Sequence, residues 1–251
     1  MKKLSMKKIL VILVFSLIAV VTIAIHNQTG AQGQDDAILD YEAAKKKIVT
    51  QSRKEKNQRF NHSGSATSKQ LIKEFPAGIE NLPTIVHWWI GLSALPVEET
   101  DAVVIGTVTH REAYLSEDET NIYTEFAVKI EKVFKDSSAS LNSEDVVSLV
   151  RKGGSVRFKS GKIQEYKISR YGMPKKGHRY LMFLKKDNGV DWFVVTGYEF
   201  SGSKVIPIDG QDNRDPKSAL PFDKYLNADE GTLLQDIQTA LEDYRGKGKM
   251  Q

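Results

Sequence analysis

Between Ile122 and Phe134 the chain alternates apolar and polar residues with a period of two. Ile122, Thr124, Phe126, Val128 and Ile130 fall on one face, and Tyr123, Glu125, Lys129 and Glu131 on the other. A helix cannot hold that pattern to one side, so the segment reads as a strand with its first face in a core and its second mostly in water. Comparable runs flank it. Ala102–Thr109 is apolar on both faces, as in a strand covered on both sides. Val146–Arg151 is a further strand, which Gly153-Gly154 is expected to turn as a tight hairpin into Val156–Phe158; Lys162–Ile168 is another. Tyr180–Lys186 and Asp191–Thr196 flank Asp187-Asn188-Gly189, and an Asn-Gly pair between two strand runs is a strong hairpin signal. Ser201-Gly202-Ser203 makes a turn before Val205–Ile208. Short strands joined by glycine turns, with no strand–helix alternation, argue against Rossmann-like and TIM folds. They predict a mainly β chain, a small antiparallel barrel with a β-sandwich as the alternative.

Two helical or apolar segments bracket these strands. At the C-terminus, Leu233, Leu234, Ile237, Leu241 and Tyr244 share one helix face. Asn227 with Glu230 resembles a capping box, Thr232 with Gln235 offers a second start, and Gly246 is the expected stop. At the N-terminus, Lys2, Lys3, Lys7 and Lys8 precede an uncharged run from Ile9 to Ile25, the pattern of an export signal. Asp35, Asp36, Asp40 and Glu42 follow it before the next lysine, Lys45, and such asymmetry leaves the basic flank cytoplasmic. Residues 1–31 are therefore read as a signal peptide cleaved near Thr29-Gly30-Ala31, or as an uncleaved anchor through residues 9–25.

Residues 32–82 read as a polar, basic helical spacer and linker, residues 83–226 as the β-barrel domain, and residues 227–251 as the C-terminal helix and tail. In the spacer, Ala37, Ile38, Tyr41, Ala44, Ile48 and Val49 give an imperfect apolar stripe to one helix from Asp35 to Arg59. Lys45, Lys46, Lys47, Arg53, Lys54, Lys56 and Arg59 crowd its second half. The first reading is a solvated helix; the second is a patch for anionic lipid, cell-wall polymer or an acidic partner. Residues 61–68 read as a linker.

The formal charge of +4 is supplied wholly by the four N-terminal lysines, so the exported part is neutral and no nucleic-acid partner is expected. With no cysteine in 251 residues, the chain has no disulfide, thiolate zinc site, cysteine nucleophile or acylated cysteine anchor.

Constellations that carry chemistry are sparse. His26, His62, His87, His110 and His178 lack metal-ligand spacing, so neither a metal nor another cofactor is expected. No Gly-x-Ser-x-Gly elbow or phosphate-binding loop occurs, and Glu117-Asp118-Glu119 reads as a solvated loop. Asp209-Gly210-Gln211-Asp212-Asn213-Arg214-Asp215 departs from a calcium loop, because its glycine comes second and no glutamate closes it. The unusual feature is His87-Trp88-Trp89. These are the candidate ligand-binding residues, for a sugar ring, peptide or headgroup, against the competing reading that both tryptophans cover an open barrel end as core.

Several segments carry a resemblance: Glu99-Thr100-Asp101-Ala102-Val103-Val104-Ile105-Gly106-Thr107-Val108, Phe126-Ala127-Val128, Val133-Phe134-Lys135, Gly172-Met173-Pro174, Gly177, and Arg179-Tyr180-Leu181-Met182-Phe183-Leu184. Together they resemble a family of uncharacterised exported bacterial proteins, whose layout is similar to the OB-like barrel of netrin-like and metalloproteinase-inhibitor modules. The resemblance covers about residues 97–210 and implies a fold. Those inhibitors depend on an N-terminal cysteine and disulfides that are absent here, so no inhibitory residue carries over.

The resulting expectation is an extracytoplasmic protein, periplasmic or secreted, or anchored in the inner membrane with its N-terminus cytoplasmic. Its function is that of a non-enzymatic binding or envelope-associated module for a protein or polysaccharide ligand. The rival readings are a secreted hydrolase with a site assembled from scattered residues and a protease-inhibitor-like partner protein.

Overall fold

The computed structural model describes residues 37–62, 71–76, 87–187, 191–211 and 219–248. The expected membrane segment, residues 9–25, and most of the 61–68 linker lie outside them, and no helix among the described residues is long and apolar enough to cross a membrane.

The chain is mainly β with a C-terminal helix. Its strands are β1 (Ile38–Asp40), β2 (Ala102–Leu115), β3 (Ile122–Asp136), β4 (Val146–Lys152), β5 (Gly154–Arg157), β6 (Ile163–Tyr166), β7 (Arg179–Asp187), β8 (Asp191–Ser201) and β9 (Lys204–Pro207). The helices are α1 (Tyr41–Lys46), α2 (Gln51–Gln58) and α3 (Glu230–Gly248), with a 3-10 turn at Pro221–Tyr225.

Six strands pair in the order β4-β3-β2-β7-β8-β9, and β4 also pairs with β8, so the first five return on themselves. The returning ladder is parallel and short, Leu149 against Trp192 and Val150 against Phe193. Period-two alternation then sends one face of these strands into a shared core: Ala102, Val104 and Val108 from β2, Phe126, Val128 and Ile130 from β3, Leu149 from β4, Tyr180, Met182 and Leu184 from β7, and Trp192 and Val194 from β8.

The opposite face of β2, β7 and β8 is buried too. Val103, Ile105, Leu181, Phe183 and Tyr198 pack against Leu233, Ile237 and Leu241 of α3. This explains why Ala102–Thr109 reads as apolar on both faces. The helix begins where Asp229 accepts from the Gly231 N–H at 2.8 Å. Asn227 is not its cap, because it holds a positive φ of 62° while Glu230 binds Arg179, and the helix runs past Gly246 to Gly248.

A second, three-stranded sheet has the order β1-β5-β6. Gly153-Gly154 is therefore a corner rather than a hairpin, since β5 pairs with β1 and β6 and not with β4. Two facts force the corner. Gly153 has φ +106° and Gly154 φ +154°, and a Cβ on Gly154 would stand 2.9 Å from side-chain atoms of both Ile122 and Thr124. The chain passes too close to β3 there to fold back on β4.

The single helix expected over 35–59 is instead a strand and two helices. Ile38 pairs with Ser155, Asp40 caps α1 through the Ala43 N–H, and Thr50 caps α2 through the Arg53 N–H. Ile48 is left exposed between them. The β7–β8 and β8–β9 hairpins form as expected, the first around residues 188–190, which lie outside the described residues.

Candidate functional site

The only fully buried charge pair among the described residues is Arg151 with Asp209. Arg151 follows Val147 and Leu149 on the inward face of β4, so the strand period places a guanidinium in the core. Asp209 follows β9 and accepts four bonds: Arg151 Nη2 to Oδ1 at 2.8 Å and to Oδ2 at 2.9 Å, the Gly172 N–H at 2.8 Å and Thr196 Oγ1 at 2.8 Å. Burial alone would lower the arginine pKa, but the Asp209 carboxylate raises it; burial pushes the Asp209 carboxyl up as well, against the opposing pull of Arg151, Thr196 and the Gly172 N–H. Arg151 Nε and Nη1 have no hydrogen-bond partner among the described residues. Asp209 thus belongs to an ion pair, while residues 212–215 of the loop that departs from a calcium pattern lie outside the described residues.

Tyr171 lies flat on this pair, its ring centroid 3.5 Å from Arg151 Cζ. Its hydroxyl donates to the Val194 carbonyl at 3.2 Å, and burial pushes the phenol up, so it stays neutral. Next comes Trp88. It stacks on Phe222 with ring centroids 5.6 Å apart and planes 11° apart, and meets Tyr171 edge-on at 5.0 Å. The Trp88 indole Nε1 is buried without an acceptor among the described residues.

Beside these rings opens a cleft of about 540 Å3, lined by Arg59, Phe60, Trp88, Lys152, Ile168, Tyr171, Lys185, Lys186, Phe193, Val194 and Val195. It sits where β4 and β8 part after their two paired residues. Leu184 pairs with Val194 and Phe183 with Thr196, leaving Val195 as a bulge whose carbonyl turns to Arg151 Nη2 at 3.3 Å. Among the described residues that line it, four are cationic and none is acidic. Arg59 bonds Asp191, and Lys186 Nζ lies 5.0 Å from the Trp192 ring centroid, whereas Lys152 and Lys185 are exposed and make no ion pair among the described residues.

Arg59 and Phe60 arrive from the basic segment. That segment is not a freely solvated spacer over α2: Arg53 binds Glu125, Lys56 bridges Glu125 and Asp191 at 2.9 and 3.0 Å, and Phe60 stacks on Tyr123 at 3.8 Å. Tyr123, expected in water, is therefore fully buried, and Glu125 is mostly covered.

Of the three residues marked by sequence, Trp88 lines the cleft. Trp89 packs edge-on against Trp88 and His87 at 5.9 and 5.2 Å, 5.7 Å from Arg170 Cζ, and both tryptophans lean on the core beneath α3. His87 is exposed. Arg151, Asp209, Tyr171, Lys152 and Lys185 were not marked. The signal for Arg151 was present in its inward position on an alternating strand, which demands a buried partner. Among the described residues, no group of three or more His, Asp or Glu side chains is placed to hold a metal ion. No family model, curated protein or solved structure matches the chain.

Proposed function

We propose that this chain is an exported, non-enzymatic binding module whose described strands form a small OB-like barrel and whose ligand site is the cleft at the β4–β8 seam. Support for the barrel comes from strand order: five strands in the sequence β4-β3-β2-β7-β8, with a parallel pairing from β8 back to β4, are the connections of a five-stranded Greek-key barrel. Support for export comes from the lysine cluster and the apolar run 9–25, which would tether the module to the membrane where it is retained.

The observation that carries the binding reading is the cleft itself. Its volume lies within the range of small-ligand sites, it combines aromatic walls with convergent cations, and its lining includes the bulge residue Val195 and Tyr171, which packs on the buried ion pair. The cations and rings at its wall offer recognition.

The test uses the full-length chain with its tryptophan indoles labelled, titrated with fractions of envelope extract. Binding in the cleft moves the Trp88 indole resonance, and the bound compound is recovered chemically unchanged. A compound returned with a bond cleaved would make the chain an enzyme, and a ligand that leaves Trp88 unmoved would put the site elsewhere.

A further inference from the structure

The sequence offers a basic segment suited to anions and a tryptophan pair suited to rings, about thirty residues apart. Folding brings one member of each into the same cleft, Arg59 from the first and Trp88 from the second. From this juxtaposition we infer that the ligand is a small acidic saccharide, one to a few sugar rings carrying carboxylate or phosphate groups. The inference rests on the cleft being the ligand site.

Each part of the wall matches one part of such a molecule. Lys152 and Lys185 are exposed, lie on different strands and lack carboxylate partners among the described residues, so two ammonium groups are free to meet anionic substituents on one ligand. Trp88 is fixed by its stack on Phe222 and its edge contact with Tyr171, so a ring packing there meets a wall that has already lost its rotamer freedom. The aliphatic face of a sugar packs on such a surface while its hydroxyls stay hydrated.

Other anions fit less well. A fatty acid needs an enclosed apolar channel for its methylenes, and this cleft opens to solvent with exposed lysines at its rim. A bare inorganic anion would use the lysines and leave the rings of Trp88 and Phe193 uncontacted.

Four probes separate the chemistry in calorimetric and indole-resonance titrations of the full-length chain: trigalacturonate, its neutral methyl ester, a hexose phosphate and inorganic phosphate. The expected result is that trigalacturonate or the hexose phosphate binds and moves the Trp88 resonance, the choice between them showing whether carboxylate or phosphate is the natural anion. Binding should weaken about five- to tenfold in each of Lys152→Ala and Lys185→Ala, both exposed and so compatible with folding, and should fall with added salt. The neutral ester and inorganic phosphate should bind at least tenfold more weakly. Equal binding of the ester, or tighter binding of an oligonucleotide, overturns the acidic saccharide. If acidic saccharides leave Trp88 unmoved while compounds from the extract move it, the ligand class is wrong and the cleft remains the site. If no compound moves it, both readings fall.

Discussion

Arg151 has no exposed surface, so its charge has to be answered within the protein. Asp209, the Val195 carbonyl and the ring of Tyr171 answer it from three separate stretches of chain, and losing Asp209 or Arg151 would leave the other charge buried alone. Asp209→Ala should therefore lower stability by about 3–5 kcal/mol in urea unfolding, whereas the double change Arg151→Met with Asp209→Leu should recover most of that loss. A single-variant cost below about 1 kcal/mol would mean that water reaches the site. A gentler case is Asp118, which accepts from the His62 N–H, Ser116 Oγ, and the Thr120 N–H and hydroxyl. Partial burial pushes this carboxyl up, but those bonds outweigh it and hold its pKa down at about 2. The bonds contribute stability above the ordinary carboxylate pKa of about 4 that is lost as pH falls through about 2. Asp118→Ala should thus flatten the decline of Tm across that window; an unchanged decline would assign it to other groups. Little at this scale was legible in advance. The alternation of β4 shows that Arg151 points inward, but its partner is 58 positions away, and Asp209 on its own suggested only an incomplete calcium loop.

Sequence patterns were most informative for elements that carry their own hydrophobic stripe. The β3 alternation, the Asn188-Gly189 hairpin and the apolar face of α3 each follow from local periodicity, and burial of Leu233, Ile237 and Leu241 agrees. Ile237→Ala should consequently cost about 2–5 kcal/mol in unfolding, because the cavity lies between α3 and two packed strands. Patterns failed where an element is held by charge. Helix α2 has no buried residue of its own and reads as solvated, yet Arg53 and Lys56 fix it to Glu125 and Asp191, while Phe60 beyond its end seals Tyr123. The period-two rule assigned Tyr123 and Glu125 to water because it cannot see a later layer arriving on that face. Attachment by ion pairs should make α2 salt-sensitive. At about 1 M salt, where the Debye length is about 3 Å, α2 amides should exchange faster while those of β2 and β3 keep their protection. Equal acceleration throughout would show that α2 and the sheet open as one unit.

For the whole molecule, the ladders differ greatly in length. The β2–β3 pairing runs from Ala102–Asp136 to Leu115–Ile122, whereas β4 and β8 meet at only Leu149–Trp192 and Val150–Phe193. Closure therefore depends less on backbone pairing at the seam than on side chains spanning it. Trp192 and Leu149 do so in the core, Arg151 reaches the Val195 carbonyl, and Tyr171 bonds the Val194 carbonyl. The order of strands could not be read from the sequence, since β4 and β8 are separated by the excursion through β5 and β6 that the glycine corner starts. The seam is expected to be the first part of the sheet to open. In native-state hydrogen exchange, seam amides should open with a free energy well below that of the β2–β3 ladder, through local rather than global unfolding. A ligand in the adjoining cleft, as proposed, would contact both strands, so it should raise seam protection selectively, by RT ln(1 + [L]/Kd) where opening abolishes binding. Phe193→Ala should lower protection at the seam and leave the β2–β3 amides unchanged, because Phe193 lines the cleft and leans on Phe60 outside the main core. Seam amides that exchange only with global unfolding, with or without ligand, would show instead that five strands close as one cooperative unit and that the cleft is a rigid notch.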